Sequence, residues 1–284
     1  MLRQSHFVPP VPMIIATETG LFDRAGVHVT STDTRGSDAQ FEQLAAGEQD
    51  LAVTAFDNLF AWNRRGIRLR AIAQTERTTP LALFTQPDIS HLEDLTDRTF
   101  AVDALDNGFA LAARRILADS AVTVRFEEVG GVRERMQALV AGDVDATLLG
   151  PPFDTIAQQH GLHRLASINE LLPGYPGQVL VTREDILSSR RDELQRYVRV
   201  LEQAVELARR LTDEEGIALL AGTGLPDSAA TALWNERPRT LRIDVSGLII
   251  VAGVRRDLQL LPEDQGDLSG LFDASFASEP KQAS

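Results

Sequence analysis

Apolar and polar positions alternate along the chain between short apolar runs and longer stretches with helical spacing. Residues 2–7 predict a first strand, closed by a Pro-rich turn over residues 8–12. Proline is tolerated where a helix starts but not inside one, so a helix opens there and runs through Met13 and Ile14 towards Gly20. Residues 26–30 predict a second strand, and Ser37 is a fair N-cap for a helix over residues 38–46. Strands over residues 51–53, 69–73, 99–102, 122–129 and 146–149 then alternate with helices over residues 57–62, 109–118 and 131–141. That alternation predicts an α/β protein built on parallel sheets. After residue 182 the pattern turns mostly helical. Leu194, Tyr197, Val198, Leu201, Val205, Ala208 and Leu211 form an apolar stripe at helical spacing. Ser189 with Asp192 and Thr212 with Glu215 read as capping boxes, and Pro226 and Asp227 begin a further helix.

One stretch occurs twice, at residues 44–57 and 139–154. Each copy reads as the end of a helix, an Ala-Gly-x-x-Asp turn, a short apolar strand, and a polar or Gly/Pro opening before another helix. Gly47 and Gly142 suit the left-handed position past a helix end. The apolar runs starting at Leu51 and Ala146 are short enough for buried parallel strands. Two such units predict two similar lobes. Ligands of open α/β sheets bind where strands end and helices begin, so two such edges facing each other make a cleft.

The 284 residues are 43% hydrophobic, enough for one large or two modest cores. A net charge of −13 argues against a general nucleic-acid or anionic-membrane surface. There is no cysteine, hence no disulfide, thiolate nucleophile or Cys-type metal site. Lys281 is the only lysine, which leaves no core amine for a Schiff base. Residues 1–10 show no apolar signal core. A cytoplasmic location is expected for the chain as written, and a periplasmic or cell-surface one if its start is trimmed or misassigned.

The segment from Pro12 to Val29, with Gly20-Leu-Phe22 and Gly26-Val, resembles the type II periplasmic solute-binding proteins of the nitrate, sulfonate and thiamine-precursor group. The resemblance continues through both Ala-Gly-x-x-Asp units and ends near Phe272. It implies two mixed, mostly parallel sheets flanked by helices, with a ligand clamped between two lobes. Residues 1–85 would form the first part of lobe one and residues 86–180 lobe two. Residues 181–284 would return, mainly helical, onto lobe one. Residues 79–84 and 177–182 read as the two crossings. Enzymes of the same fold include an aromatic sulfinate desulfinase with a nucleophilic Cys and a pyrimidine-precursor synthase that needs a lysine-bound cofactor. This chain lacks the residues for either chemistry.

Candidate ligand contacts lie at the expected cleft edges. His6 and Phe7 end the first strand, and Gly36 and Ser37 offer backbone N–H groups at a helix start, where an anion is favoured. Thr54, Phe56 and Asp57 follow the first repeated strand, with Phe56 placed to stack on a flat ligand and Asp57 to contact it or cap its helix. Asn107, Gly108 and Phe109 start a helix in lobe two. Gly150, Pro152 and Asp154 close the second repeat, where paired prolines remove donors and make an apolar wall. Tyr175 precedes the return crossing and either closes over a ligand or forms a surface turn. His160 and His163 have Gly161 between them and no third ligand in view, so no metal is expected, nor any cofactor.

The leading expectation is a monomeric solute-binding component of an ATP-driven importer, with a small organic ligand and a permease as partners and no nucleic acid. The alternatives are a cytosolic lyase or hydrolase using His6 and Asp57 for acid/base chemistry, and a ligand sensor.

Overall fold

The computed structural model describes residues 1–106, 108–261 and 267–277. Its ten strands are β1 (Leu2–His6), β2 (Val29–Asp33), β3 (Leu51–Ala55), β4 (Leu69–Gln74), β5 (Ala82–Thr85), β6 (Thr99–Val102), β7 (Arg125–Glu128), β8 (Ala146–Leu149), β9 (His163–Ser167) and β10 (Gln178–Arg183). They form two five-stranded sheets, ordered β2-β1-β3-β10-β4 and β7-β6-β8-β5-β9. In the first, only β10 runs against its neighbours. In the second, only β5 does. The sheets are therefore mixed and mostly parallel, each centred on one copy of the repeat. Gln4 pairs with Leu51 in one and Phe100 with Ala146 in the other.

The repeated aspartates explain why the turn recurs. Asp50 Oδ2 accepts the Arg3 N–H at 2.9 Å, and Asp145 Oδ2 accepts the Thr99 N–H at 2.8 Å. Each also takes an arginine at 3.1 and 3.2 Å, Arg3 on Asp50 and Arg98 on Asp145. In both lobes a carboxylate before the central strand ties down the start of its parallel neighbour. Gly47 and Gly142 adopt the left-handed φ of +71° and +78° that lets the helix end before that turn.

Several elements differ from expectation. The second strand starts at Val29, because Gly26 is left-handed at +62° and the Val27 N–H is held by Phe22 O at 3.0 Å. The runs read as crossings are strands: β5 belongs to the second sheet and β10 to the first. The chain passes between lobes just outside them, where Thr78 and Pro176 form an antiparallel bridge. A Cβ on Gly177 would lie 2.6 Å from Glu76 Cβ, so glycine is what lets the two passes touch. The Ser189 box does not form, since Ser189 ends the preceding helix and its hydroxyl donates to Asp185 O at 2.7 Å. The Thr212 box does form, with Glu215 N–H donating to Thr212 Oγ1 at 3.2 Å.

The helix Arg191–Arg210 buries Leu194, Tyr197, Val198, Leu201, Val205 and Ala208 against the helix Val11–Glu18 and the first sheet. Each large apolar side chain so buried is worth about 1.5–3 kcal/mol. The helix Val245–Asp257 has a different role. Its Leu248, Val251 and Ala252 join a core containing Leu111 and Ala112 of the lobe-two helix Ala110–Asp119, and Asp257 pairs with Arg115 of that helix. This return helix fastens one lobe to the other.

Candidate functional site

The cleft lies where the strands of both sheets end. Phe7, Val8, Ala55 and Asn58 line it from lobe one. Glu76, Thr79, Pro80, Leu81 and Gln178 line it from the crossings and the start of β10. Asp103, Gly108, Phe109, Arg135, Pro151 and Phe153 line it from lobe two. The lobes meet over the opening. The Ser37 N–H, in the first turn of the helix Ser37–Ala45, donates to Asp103 Oδ2 at 3.0 Å. Beside it, a Cβ on Gly131 would stand 2.7 Å from Arg35 O, which marks how closely the two loops approach. On the other flank Ser228 Oγ donates to Thr155 Oγ1 at 3.3 Å. A cavity of about 100 Å³ remains inside.

The lining is mainly apolar, with a few polar groups set into it. Glu76 Oε1 accepts from Gln178 Nε2 at 3.0 Å, and the Gln178 N–H reaches Oε2 at 3.4 Å. Burial pushes the Glu76 carboxyl up to about 7; the Gln178 donors oppose this and nearby Glu236 adds to it. Asn58 donates from Nδ2 to Thr54 Oγ1 at 2.7 Å, leaving its Oδ1 buried and without a partner among the described residues. The Thr79 hydroxyl is likewise buried and unpartnered among them. Arg135 is turned into its own lobe, donating to Thr147 Oγ1, Gly130 O and Leu148 O at 3.1, 2.8 and 3.3 Å.

Behind this lining lies a sealed ion pair. Arg255 Nη1 sits 2.9 Å from both carboxyl oxygens of Asp57, with the side chains 2% and 1% exposed. Burial pushes Asp57 up to about 6, while Arg255 and the Gly108 N–H favour its ionised form. The arginine comes from the return helix and also donates to Asp106 O of lobe two at 3.3 Å.

A sequence model of the family described as NMT1/THI5 like matches residues 10–214. The chain belongs to that family. No curated protein matches it in sequence. Among solved structures, this NMT1/THI5-like chain is similar to the alkanesulfonate-binding protein SsuA from Xanthomonas axonopodis pv. citri bound to MOPS. They share 20% identity at a TM-score of 0.74, covering 92% of this chain and 94% of that one. It is also similar to the nitrate-binding protein NrtA from Synechocystis PCC 6803, at 11% identity and a TM-score of 0.80, covering 97% and 86%. A third similar structure is the desulfurization enzyme DSZB, at 16% identity and a TM-score of 0.64, covering 95% and 96%. These likenesses show the fold of the NMT1/THI5-like chain, the type II periplasmic-binding fold.

Against that fold, the residues singled out from the sequence divide into three groups. Phe7, Gly108, Phe109 and Gly150 line the cleft. Gly36 and Ser37 lie at its closed mouth, where the Asp103 carboxylate takes the Ser37 N–H. The other described candidates face elsewhere. His6 points to an outer groove of lobe one, because successive strand residues face opposite sides. Its Nδ1 is 3.5 Å from Asp33 Oδ1, and burial lowers its pKa against the pull of Asp33. Phe56 is core, Thr54 is a buried partner of Asn58, and Asp57 is locked to Arg255. Pro152 caps the helix Phe153–Gln159, and Asp154 accepts the Thr155 N–H at 2.6 Å within that helix. Tyr175 is neither a lid nor a surface turn: it is 1% exposed, its ring 6.3 Å from that of Phe109. Asn107 lies outside the described residues. His163 Nδ1 lies 2.8 Å from Ile89 O.

The sequence reading did not single out Asn58, Glu76, Thr79, Arg135 or Gln178. A usable signal existed for Glu76 and Thr79, since any segment that passes between lobes must border the cleft and polar residues there face it.

Proposed function

We propose that this NMT1/THI5-like protein binds a small organic solute between its lobes and releases it by hinge opening, as the solute-binding component of an ATP-driven importer. The observation that carries the reading is the cleft itself. It is apolar, flanked by both lobes and both crossings, with a few buried polar groups, as ligand sites commonly are. Phe7, Phe109 and Phe153 supply flat apolar walls, and Asn58 and Thr79 hold polar atoms that are unpartnered among the described residues, for a ligand to satisfy. The contacts at Ser37–Asp103 and Ser228–Thr155 are those that an opening motion breaks first. A monomer that presents both lobes to a membrane permease in this closed form fits the role.

A second reading is an enzyme on the same frame, and one observation favours it. The Glu76 carboxyl, held at about 7, is poised to give or take a proton near neutral pH. His6 and Asp57 do not serve that reading, the first facing the outer groove and the second sealed beneath the site.

Purified protein incubated with a metabolite mixture and followed by thermal shift and mass spectrometry separates the two. A solute at a hundred times its dissociation constant adds about 2.7 kcal/mol of stability and is recovered unchanged. Consumption beyond one equivalent per chain overturns the binding reading in favour of the enzyme.

A further inference from the structure

The cleft's polar groups are unevenly distributed between acceptors and donors. Among the described residues Glu76 has no cation in ion-pair contact, and its hydrogen-bond partners are the two N–H donors of Gln178. Asn58 Oδ1 is a buried acceptor to which nothing among the described residues donates, on a side chain held by its own bond to Thr54. Arg135 is, among the described residues, the one guanidinium in the lining; its Nε and both Nη atoms are engaged by its own lobe, and Asp103 and Glu134 act on its charge. The lining thus holds two carboxyl groups, Glu76 and Asp103, against one guanidinium. Glu236 adds a further negative charge behind Glu76, where its Oε2 accepts from Thr78 Oγ1 at 3.1 Å.

We propose that the cleft selects an organic monocation, a flat or apolar body bearing a protonated N–H base that Glu76 receives through its carboxylate while Asn58 Oδ1 accepts a second N–H. The proposal rests on the cleft being the ligand site and names the class of ligand it takes. Glu76 is half-buried among apolar walls, and a carboxylate partly withdrawn from water without a cation gains when one is supplied. A ligand cation supplies it, and at the same time satisfies the orphaned amide oxygen. Phe7, Phe109 and Phe153 place aromatic rings around the same space, and aromatic faces attract a cation that has left water. A sulfonate or nitrate in that position meets the Glu76 carboxylate and the Asn58 amide oxygen, with the Thr79 hydroxyl as a donor too few to offset them.

The test uses three probes of one size, benzamidine as the cation, benzamide as the neutral form and benzenesulfonate as the anion. Their binding to the full chain is measured by calorimetry and thermal shift at pH 8. The expected result is that benzamidine binds more tightly than the other two. Glu76→Gln weakens benzamidine at least tenfold and leaves benzamide within twofold, whereas Glu76→Asp, which keeps the charge, retains the cation preference. Asn58→Ala weakens benzamidine as well. Equal benzamidine binding by the wild type and E76Q overturns the proposal. So does tighter binding of benzenesulfonate, which leaves solute binding standing. Silence from all three probes also overturns it, and the metabolite incubation then reports separately on whether the cleft binds a solute at all.

Discussion

Asp103 of the second lobe caps a helix of the first, its Oδ2 taking the Ser37 N–H at 3.0 Å across the mouth of the cleft. Its other oxygen lies 3.0 Å from where a Cβ on Gly36 would stand, so the carboxylate fits because that position is glycine. A carboxylate at a helix N-terminus satisfies an orphan donor and meets the positive end of the helix dipole. Here the cap and the helix belong to different lobes, so the cap also acts as a latch. Replacing Asp103 with Ala is expected to cost about 1 kcal/mol in chemical denaturation. It should also raise the radius of gyration measured by small-angle scattering as the lobes part. Asp103→Asn keeps one acceptor oxygen and is expected to fall between the two.

The Glu76 carboxyl gives stability a definite pH dependence. Its value of about 7 lies above the ordinary 4.5, so the folded chain holds this proton where the unfolded chain has lost it. A raised carboxyl pKa contributes stability fully present below about 4.5 and lost as pH rises through about 7. The loss approaches about 3 kcal/mol at most. The charges facing it are Glu236 behind and Asp103 and Arg135 across the cleft. Urea midpoints at pH 5 and pH 8 should therefore fall further for the wild type than for E76Q. An identical fall in both would assign the pH dependence elsewhere.

The pair Asp57–Arg255 is a buried charge pair between residues 198 positions apart in the chain. Removing one partner strands the other charge, so Arg255→Met is expected to cost about 3–5 kcal/mol. The double variant Asp57→Asn with Arg255→Met should lose less than R255M alone, because it leaves no unpaired buried charge. Denaturant titration of the two variants against the wild type checks this, and a double variant weaker than R255M would count against it.

Much of this architecture was legible in the residues, and the limits have physical causes. The repeated turn was visible because glycine at Gly47 and Gly142, and the aspartates after them, answer local backbone needs. The stripe from Leu194 to Ala208 was visible because burial repeats with the helix period. Phe7, Gly108 and Phe109 came from knowing where strands end in such folds. The Ser37–Asp103 contact joins residues 66 positions apart and leaves no local trace. The same is true of Arg135, whose partners are mostly carbonyl groups that every residue carries. Arg255 was within reach: it continues the stripe of Leu248, Val251 and Ala252 on an apolar helix, and a charge in such a stripe needs a buried partner. The strands β5 and β10 looked like connectors because an apolar run does not declare which sheet it joins.

The two repeated aspartates are not equally exposed. Asp50 is 2% exposed and takes both Arg3 and Arg190, the latter at 3.1 Å, whereas Asp145 is 24% exposed and takes Arg98. Asp50→Ala is expected to destabilise by about 3 kcal/mol and Asp145→Ala by about 1 kcal/mol. Equal losses would mean that the shared backbone bond, and not the arginines, carries the interaction.

The placement of β5 and β10 sets an order of assembly. Every strand of the second sheet comes from residues 82–167, one continuous stretch. The first sheet has a gap between β3 and β4 that only β10 fills, more than a hundred residues after β4. During synthesis the second lobe can therefore close while the first is still missing an interior strand, since contacts between distant segments form late. Until residue 183 leaves the ribosome, β3 and β4 each present an unpaired edge, a template for wrong partners. Nascent chains arrested before that point are where aggregation or chaperone capture should concentrate.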